Sequence, residues 1–144
     1  MPDIGLGSDH AGFEMKEAVK KFLQNKGYKV QDFGTHSADS VDYPDYIHPL
    51  AGSVEKKENT LGIAVCGSGN GVCMTANKHQ GIRAALVWNA ALASLARKHN
   101  DANILCLPGR FITTGEAQQI VESFLNTSFE GGRHQNRINK IPCR

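Results

Sequence analysis

Residues 61–71 read LGIAVCGSGNG, and this stretch decides the fold class. Its first six residues, Leu61 to Cys66, are apolar at consecutive positions, which is typical of a strand buried on both faces of a parallel sheet. Three glycines then alternate with Ser68 and Asn70, and a helical pattern runs from Gly71 to Lys78. A buried strand that passes through a glycine loop into a helix is a unit of an α/β fold.

The same alternation covers the whole chain. Strands are predicted at Asp3 to Gly7, Lys29 to Phe33, Leu61 to Cys66, Arg83 to Val87 and Ala102 to Leu107. Helices are predicted at Gly12 to Asn25, Tyr46 to Glu58, Gly71 to Lys78, Asn89 to His99 and Gly115 to Asn126, the first stopped by Gly27 and the last capped by Thr113 or Thr114. We therefore expect a single α/β domain over residues 1–144, a three-layer Rossmann-like sandwich around a five-stranded parallel sheet. A basic C-terminal tail should hold a short helix from about Gly132.

Composition and charge exclude several classes of function. Sixteen Lys and Arg against fourteen Asp and Glu give a net charge of +2, too balanced for a nucleic-acid or membrane surface. The N-terminus shows no signal-peptide pattern and no segment is apolar enough to span a bilayer, so we expect a cytoplasmic protein. Four cysteines without zinc-site spacing are then expected to be free thiols.

Candidate site residues follow the predicted strands, because parallel sheets bind ligands outside the carboxyl ends of their strands. Asp9 and His10 follow the first strand, and Tyr43 lies in the long loop after the second. Arg110 follows the fifth strand, placed to reach the crevice. An Asp-His pair also serves as a helix cap and a surface imidazole, so each feature has an ordinary structural explanation.

The glycine loop after Cys66 is suited to an anion. The spacing of Gly67, Gly69 and Gly71 fits neither a dinucleotide fingerprint nor a P-loop, which argues against a bound nucleotide. Their backbone N–H groups could surround an anion, and the start of a helix favours the thiolate form of Cys66. Cys66 is therefore a candidate base or nucleophile; alternatively, it is a small buried hydrophobic residue.

A second set of polar residues lies late in the chain. His99 and Asn100 end the predicted fourth helix, where a histidine complements the dipole and an asparagine can adopt the left-handed cap conformation. Arg133 and Arg137 are four residues apart, so a helical tail would place both on one face as a fork for a phosphate. A solvated basic tail is the alternative.

Five motifs in order resemble the type B ribose-5-phosphate isomerases, relatives of the galactose-6-phosphate isomerase subunits. The motifs are GSDHAG, VCGSGNG, ANK at 76–78, RAALVWNAALASLARKHNDANILCLPGR and GRHQNRINKI, and the match covers essentially the whole chain. The chain departs from the family pattern at Ser68, where many relatives carry threonine.

The resemblance implies an aldose-ketose isomerase of the pentose phosphate pathway that interconverts ribose 5-phosphate and ribulose 5-phosphate, without a metal or organic cofactor. It implies Cys66 as the base that forms a cis-enediolate and His99 as the group that opens the sugar ring. The substrate-binding residues that we expect are Asp9, His10, Tyr43, Gly67, Ser68, Gly69, Asn70, Gly71, Asn100, Arg110, Arg133 and Arg137. The phosphate is expected on His10, Arg133 and Arg137. The resemblance also implies active sites shared between the two chains of a homodimer, and it leaves open whether the assembly is a tetramer.

Three alternatives remain open on the sequence. The same chemistry would serve a six-carbon sugar phosphate, allose or galactose 6-phosphate. A flavodoxin-like module for a flavin or nucleotide would place its phosphate loop after the first strand, where Asp9 and His10 stand. A redox role for Cys66 lacks a resolving cysteine at CxxC spacing.

Overall fold

A computed structural model describes residues 1–143 as five strands and six helices in strict alternation until the last helix. The strands are β1 (Ile4–Ser8), β2 (Val30–Asp32), β3 (Leu61–Cys66), β4 (Ala84–Leu86) and β5 (Ile104–Pro108). The helices are α1 (Phe13–Asn25), α2 (Pro44–Glu55), α3 (Asn70–Ala76), α4 (Ala90–Asn100), α5 (Thr114–Asn126) and α6 (Arg133–Ile138). Every predicted element is present, including the short tail helix.

The sheet is entirely parallel, in the order β2-β1-β3-β5-β4. Its register pairs Ser8 with Val65 and Cys66 with Pro108, so β1, β3 and β5 end together at one edge. We call the edge where strands end the carboxyl edge and the opposite one the amino edge. No helix in residues 1–143 is long and apolar enough to cross a membrane.

Two hydrophobic clusters, one on each face of the sheet, complete the three predicted layers. The first packs α1, α4 and α5 against side chains such as Leu6, Ile63 and Leu105. The second packs α2 and α3 against Ala64, Cys66 and Cys106. Alternate residues of β3 therefore enter different clusters, which is why consecutive apolar residues in the sequence predicted a strand buried on both faces. The three-layer α/β prediction is confirmed.

Some element boundaries differ from the prediction for identifiable reasons. Helix α2 begins at Pro44, two residues early, because proline is preset for the first helical position. It ends at Glu55, soon before Lys57 adopts a left-handed φ of 64°. Of the two threonines predicted as caps of α5, Thr113 is the cap, and it forms a capping box with Glu116. The four cysteines are free thiols, which confirms that expectation.

A buried ion network ties α1 to β2. The Lys16 ammonium is fully buried, and its Nζ lies 2.7 Å from Asp32 Oδ2 and 3.1 Å from Glu17 Oε1. Lys20 adds a third contact at 3.0 Å from Asp32, and the second carboxylate oxygen accepts the Gly34 N–H. Although burial opposes ionisation, the hydrogen bonds from Lys16, Gly34 and Lys20 hold the pKa of Asp32 below its ordinary value.

Asp32→Asn is expected to lower the free energy of unfolding by about 3 kcal/mol, because it leaves the Lys16 charge buried with only Glu17 as its partner. Denaturant unfolding measures the change. Glu122→Gln is the matched control: its pair with Lys26 is exposed, so its loss should cost less than about 1 kcal/mol. Equal losses in the two variants would contradict a buried ionised pair.

The depressed pKa of Asp32 also fixes the sign of a pH effect. Its stabilising contribution is complete above the ordinary carboxyl pKa of 3.8 and is lost as the pH falls through the lower folded value. Wild-type stability should therefore fall more steeply than that of Asp32→Asn below about pH 4.

Candidate active site

The topological switch point lies between β1 and β3, because the chain passes from β1 to β2 on one side and returns to β3 on the other. Ligands of open parallel sheets bind at such a point, outside the carboxyl edge. The loops that begin at Asp9 and Gly67 flank the crevice there. Both had been singled out from the sequence.

Cys66 is the last residue of β3, and it is only 5% exposed. Its side chain belongs to the cluster beneath α2 and α3, and its carbonyl accepts the Gly109 N–H at 2.8 Å. The thiol is thus held at the carboxyl edge by a rigid strand rather than by a mobile loop. Residues on such edges are well placed for chemistry.

The glycine loop presents backbone donors next to that thiol. Gly69 has a φ of +78°, a left-handed conformation that suits glycine, and Asn70 N–H donates to Ser68 Oγ at 3.2 Å. Across residues 1–143, the N–H groups of Gly67, Ser68 and Gly69 donate to no protein acceptor. Because α3 has only seven residues, these loop amides, rather than a long helix dipole, are the donors that an anion in the crevice would meet.

Asp9 lies beside Cys66. It follows Ser8, which pairs with Val65, so the two residues occupy equivalent positions at the ends of adjacent strands about 4.8 Å apart. Asp9 is buried, and its Oδ1 accepts the Gly12 N–H at 3.0 Å. The carboxylate is therefore fixed in place, with its other oxygen available to a hydroxyl.

The next residue, His10, is held in one tautomer. Its Nδ1 accepts the Val41 N–H at 3.1 Å, so the ring proton lies on Nε2. Its Nε2–H donor is turned away from the loop that holds Val41. Such a group can donate a hydrogen bond to a phosphate or hydroxyl oxygen.

Tyr43 and Arg110 close the crevice on its two sides. A Cβ on Gly71 would lie 2.5–2.9 Å from the Tyr43 ring, so the ring rests directly on this glycine. The Arg110 side chain passes over Gly67, with Nη1 3.4 Å from the position of a Cβ there. Glycine at both positions thus lets larger side chains approach the loop. The first candidate group, all at the carboxyl edge, is Asp9, His10, Tyr43, Cys66, Gly67, Ser68, Gly69, Asn70, Gly71 and Arg110.

Four of the predicted site residues lie elsewhere. Helix α4 begins at the carboxyl edge, where Asn89 caps it, and its 11 residues span about 16 Å toward the amino edge. His99 and Asn100 lie at its far end, and α6 brings Arg137 to them in a cleft of about 420 Å³. Arg133 stands exposed in the first turn of α6. Within one chain, the structure separates this group from Cys66.

One expectation about this helix end is wrong. Asn100 is still helical, and Asp101 adopts the left-handed conformation at φ 46°. Aspartate tolerates that conformation almost as asparagine does, and Asp101 also pairs with Arg97 Nη1 at 2.8 Å, which extends the helix by one residue.

The sequence analysis missed two neighbours of His99. The rings of His99 and His134 stack with centroids 4.5 Å apart, and His134 Nε2 lies 3.3 Å from Glu130 Oε2. The four-residue spacing of Glu130 and His134 was the available signal.

The other cysteines differ from Cys66. Burial raises the pKa of the Cys106 thiol well above its ordinary value, and its neighbour Cys73 points to the Ala84 carbonyl at 3.4 Å. Neither begins a glycine loop. Cys66 is the thiol suited to chemistry at this edge.

Comparison with known proteins gives one consistent result. Ribose-5-phosphate isomerase B of Escherichia coli (strain K12) is 40% identical over 141 residues, covering 98% of this chain and 95% of that protein. The crystal structure of a ribose 5-phosphate isomerase from Thermotoga maritima superposes with a TM-score of 0.97 at 51% identity, over 98% of this chain and 97% of that one. Ribose-5-phosphate isomerase B from Mycoplasma genitalium, solved with bound ribulose-5-phosphate, gives a TM-score of 0.93 at 47% identity, over 96% and 93%.

The sequence model described as Ribose/Galactose Isomerase matches residues 4–141, nearly the whole described chain. The resemblance drawn from the five motifs is therefore confirmed. The fold, the thiol at the carboxyl edge of β3 and these matches agree, and the chain belongs to the Ribose/Galactose Isomerase family.

Proposed function

We propose that this protein interconverts ribose 5-phosphate and ribulose 5-phosphate, with Cys66 as the base. The observation that carries the proposal is the buried thiol at the topological switch point, directly before a loop of unpaired amides. The relative from Mycoplasma genitalium holds ribulose-5-phosphate. Four free thiols suit the reducing cytoplasm, where we place the reaction.

The chemistry is a proton transfer between neighbouring carbons. The Cys66 thiolate takes the proton from C2 of the open-chain aldose, and the electrons of that C–H bond form the C1–C2 double bond of a cis-enediolate. The C1 oxygen becomes negative, and the amides of Gly67, Ser68 and Gly69 stabilise it. The thiol then returns its proton to C1, and the C2 hydroxyl proton passes to the negative C1 oxygen, which gives the ketose and regenerates the thiolate. Atoms and charge balance without a cofactor.

Before that step the closed furanose must open, and we assign this to His99. A ring nitrogen of His99 would move the proton between the C1 hydroxyl and the ring oxygen, while Asp9 holds the sugar hydroxyls. His10, Arg133 and Arg137 would bind the phosphate, with Asn100 and Arg110 completing the site. The roles of Tyr43, Asn70 and Gly71 are to wall the sugar and shape the loop.

These assignments require two copies of the chain. Cys66 lies at the carboxyl edge and His99 near the amino edge, and the six residues of β3 alone span about 20 Å. A two-fold dimer would bring His99, Arg133 and Arg137 of one copy to Cys66 and His10 of the other, twice per dimer.

The surface supports a dimer at one side of the sheet. Strand β4 is an edge strand, and the exposed side chains of Met74, Trp88 and Leu95 belong to the elements around it. Large exposed apolar side chains of this kind are typical of protein interfaces. We propose that this edge carries the contact between copies.

A six-carbon sugar phosphate is the second candidate, since the family includes galactose isomerases by its description. The flavin or nucleotide module has no support, because the chain belongs to an isomerase family and Asp9 and His10 occupy the loop after β1. One additional carbon in a fitted pocket changes kcat/KM by about 10- to 200-fold.

A panel of aldose phosphates tests the substrate directly. We expect kcat/KM for ribose 5-phosphate to exceed that for allose 6-phosphate and galactose 6-phosphate by at least about tenfold. The kinetics of ketose formation measure this. A preference for either hexose phosphate would move the protein to the second candidate and leave the enediolate chemistry intact.

A further inference from the structure

We infer that the protein has a zinc site made of His99, Glu130 and His134. One ligand atom from each of these residues lies within 4.8 Å of the other two, the only such group in residues 1–143. Two imidazole nitrogens and a carboxylate oxygen are a donor set typical of zinc with one open position. The site itself stands independently of the proposed function; only its effect on catalysis rests on that function.

The three side chains come from backbone that is already fixed. His99 lies in the last turn of α4, and the Glu130 N–H donates to the Lys98 carbonyl at 3.1 Å, which ties the segment before α6 to that helix. Arg97 Nε holds the same segment through the Thr127 carbonyl at 3.4 Å. The ligands therefore need little ordering when an ion binds.

The spacing of the three ligand atoms is close to what zinc requires, and one of the two near-parallel rings must turn out of the stack so that both ring lone pairs meet at one ion. The two imidazole rings stack at 4.5 Å with 15° between their planes, and Glu130 already contacts His134 Nε2 at 3.3 Å. Ligand atoms around tetrahedral zinc lie about 3.3 Å apart, since each is about 2.0–2.1 Å from the ion. Side-chain movements of about 1.5 Å or less would bring the three ligand atoms to that spacing. Within residues 1–143, no hydrogen bond holds the His99 ring nitrogens against this movement.

Ligand type selects the ion. Arg137 lines the same cleft and repels any cation, and the Glu130 carboxylate offsets that charge. Imidazole nitrogen favours zinc over magnesium or calcium, which prefer oxygen ligands. Zinc bound here would occupy a ring nitrogen of His99, the residue assigned to ring opening, and restrain its imidazole, so we expect zinc to be a reversible inhibitor.

The chain offers a built-in control. His48, His79 and Glu55 form a second group of the same composition, with His79 Nε2 2.8 Å from His48 Nδ1 and His79 Nδ1 3.3 Å from Glu55 Oε1. Because the His79 ring stands between its two partners, no single point lies near all three ligand atoms. His79→Gln is therefore the matched histidine substitution outside the proposed site.

Zinc affinity of the full-length protein, measured by competition with a fluorescent chelator, tests the site. We use the Cys66→Ser background, which removes the thiol at the carboxyl edge as a zinc ligand. His134→Gln and Glu130→Gln should each weaken zinc binding by at least about tenfold, the lower bound for losing even an outer-shell partner. His79→Gln should leave it unchanged. Equal affinity in the His134→Gln and parent proteins would overturn the inference.

Cobalt provides a second readout that does not depend on activity. Bound Co²⁺ should show visible d–d bands that disappear in His134→Gln, without the near-ultraviolet charge-transfer band of a thiolate ligand. A thiolate band that persists in His134→Gln would assign the ion to a cysteine and overturn the site.

The catalytic consequence is measured separately. Zinc should inhibit ribose 5-phosphate turnover by the wild-type protein, EDTA should restore it, and the ratio of rates with and without zinc should approach one in His134→Gln. Absence of isomerase activity would refute the proposed function but leave the zinc-affinity comparison valid. Inhibition that is equal in both proteins would refute inhibition through this site and assign it to another ligand, such as the Cys66 thiolate.

Discussion

Cys66→Ala is expected to lower kcat for ribose 5-phosphate by about 10³-fold or more, within the range for loss of a general base. The reason is that the neighbouring proton acceptors at the carboxyl edge have other tasks: Asp9 Oδ1 accepts the Gly12 N–H and His10 Nδ1 accepts the Val41 N–H. The second Asp9 oxygen is assigned to the sugar hydroxyls, so neither group replaces the thiolate at C2. Steady-state kinetics of ribulose 5-phosphate formation measure the loss.

The fold should survive this change. Removing one sulfur atom from a nearly buried site costs about 1 kcal/mol, since the cavity is smaller than a methylene pair. Cys73→Ala is the matched control, because Cys73 lies in α3 with its thiol directed at Ala84 and has no assigned role. Cys66→Ala with undiminished turnover would refute the base assignment, as would an equal loss in Cys73→Ala.

His99→Asn is expected to lower kcat/KM for ribose 5-phosphate by about 10²-fold or more, because the furanose ring then opens without a proton carrier. An aldotetrose 4-phosphate distinguishes this role, since its C4 oxygen carries the phosphate and cannot close a furanose. Turnover of that open-chain substrate should fall much less. The comparison of the two substrates in one variant measures ring opening apart from proton transfer at carbon.

A control variant guards against a general loss of structure. His79→Asn changes a histidine whose ring contacts are His48 and Glu55; it lines a cavity with Asn100 but has no contact with His99 or Cys66, and it should leave both substrates unaffected. Equal losses of both substrates in His99→Asn would remove the ring-opening role and leave His99 as a binding residue.

Local sequence patterns predicted most of this fold. Consecutive apolar residues from Leu61 to Cys66 mark a strand buried between two helical layers, and both hydrophobic clusters take residues from it. Capping chemistry placed the start of α5 at Thr113 or Thr114, of which Thr113 is the cap, and Gly27 stands just past the end of α1 with a φ of 90°. These signals act within a few residues, so the sequence carries them directly.

The candidate site could be predicted only in part. The loops after β1, β3 and β5 begin at the same edge in any parallel sheet, so Asp9, Cys66 and Arg110 could be grouped from the sequence alone. His99 ends a helix that returns to the amino edge, and which residues it meets there depends on the packing of α6. The stacking of His134 on His99 arises from that tertiary contact, which no local pattern encodes; only the pairing of His134 with Glu130 has a local signal, in its four-residue spacing.

The order of the strands in the sheet could not be predicted from local sequence patterns either. The pairing of β5 between β3 and β4 places Pro108 opposite Cys66 and brings the Arg110 side chain over Gly67. A sheet in chain order would have put the loop after β4 there instead. The physical choice depends on packing of whole helices against the sheet, not on the strands themselves.

Mixing two inactive variants tests most directly the claim that Cys66 of one copy acts with His99 of another. Cys66→Ala and His99→Asn proteins, unfolded together and refolded, should form heterodimers in which one of the two sites has both native residues. Activity on ribose 5-phosphate should recover to about a quarter of the wild-type value, since about half of the dimers are mixed and each has one intact site. A mixture no more active than its two components, with heterodimers confirmed by native mass spectrometry, would contradict a site built from two chains.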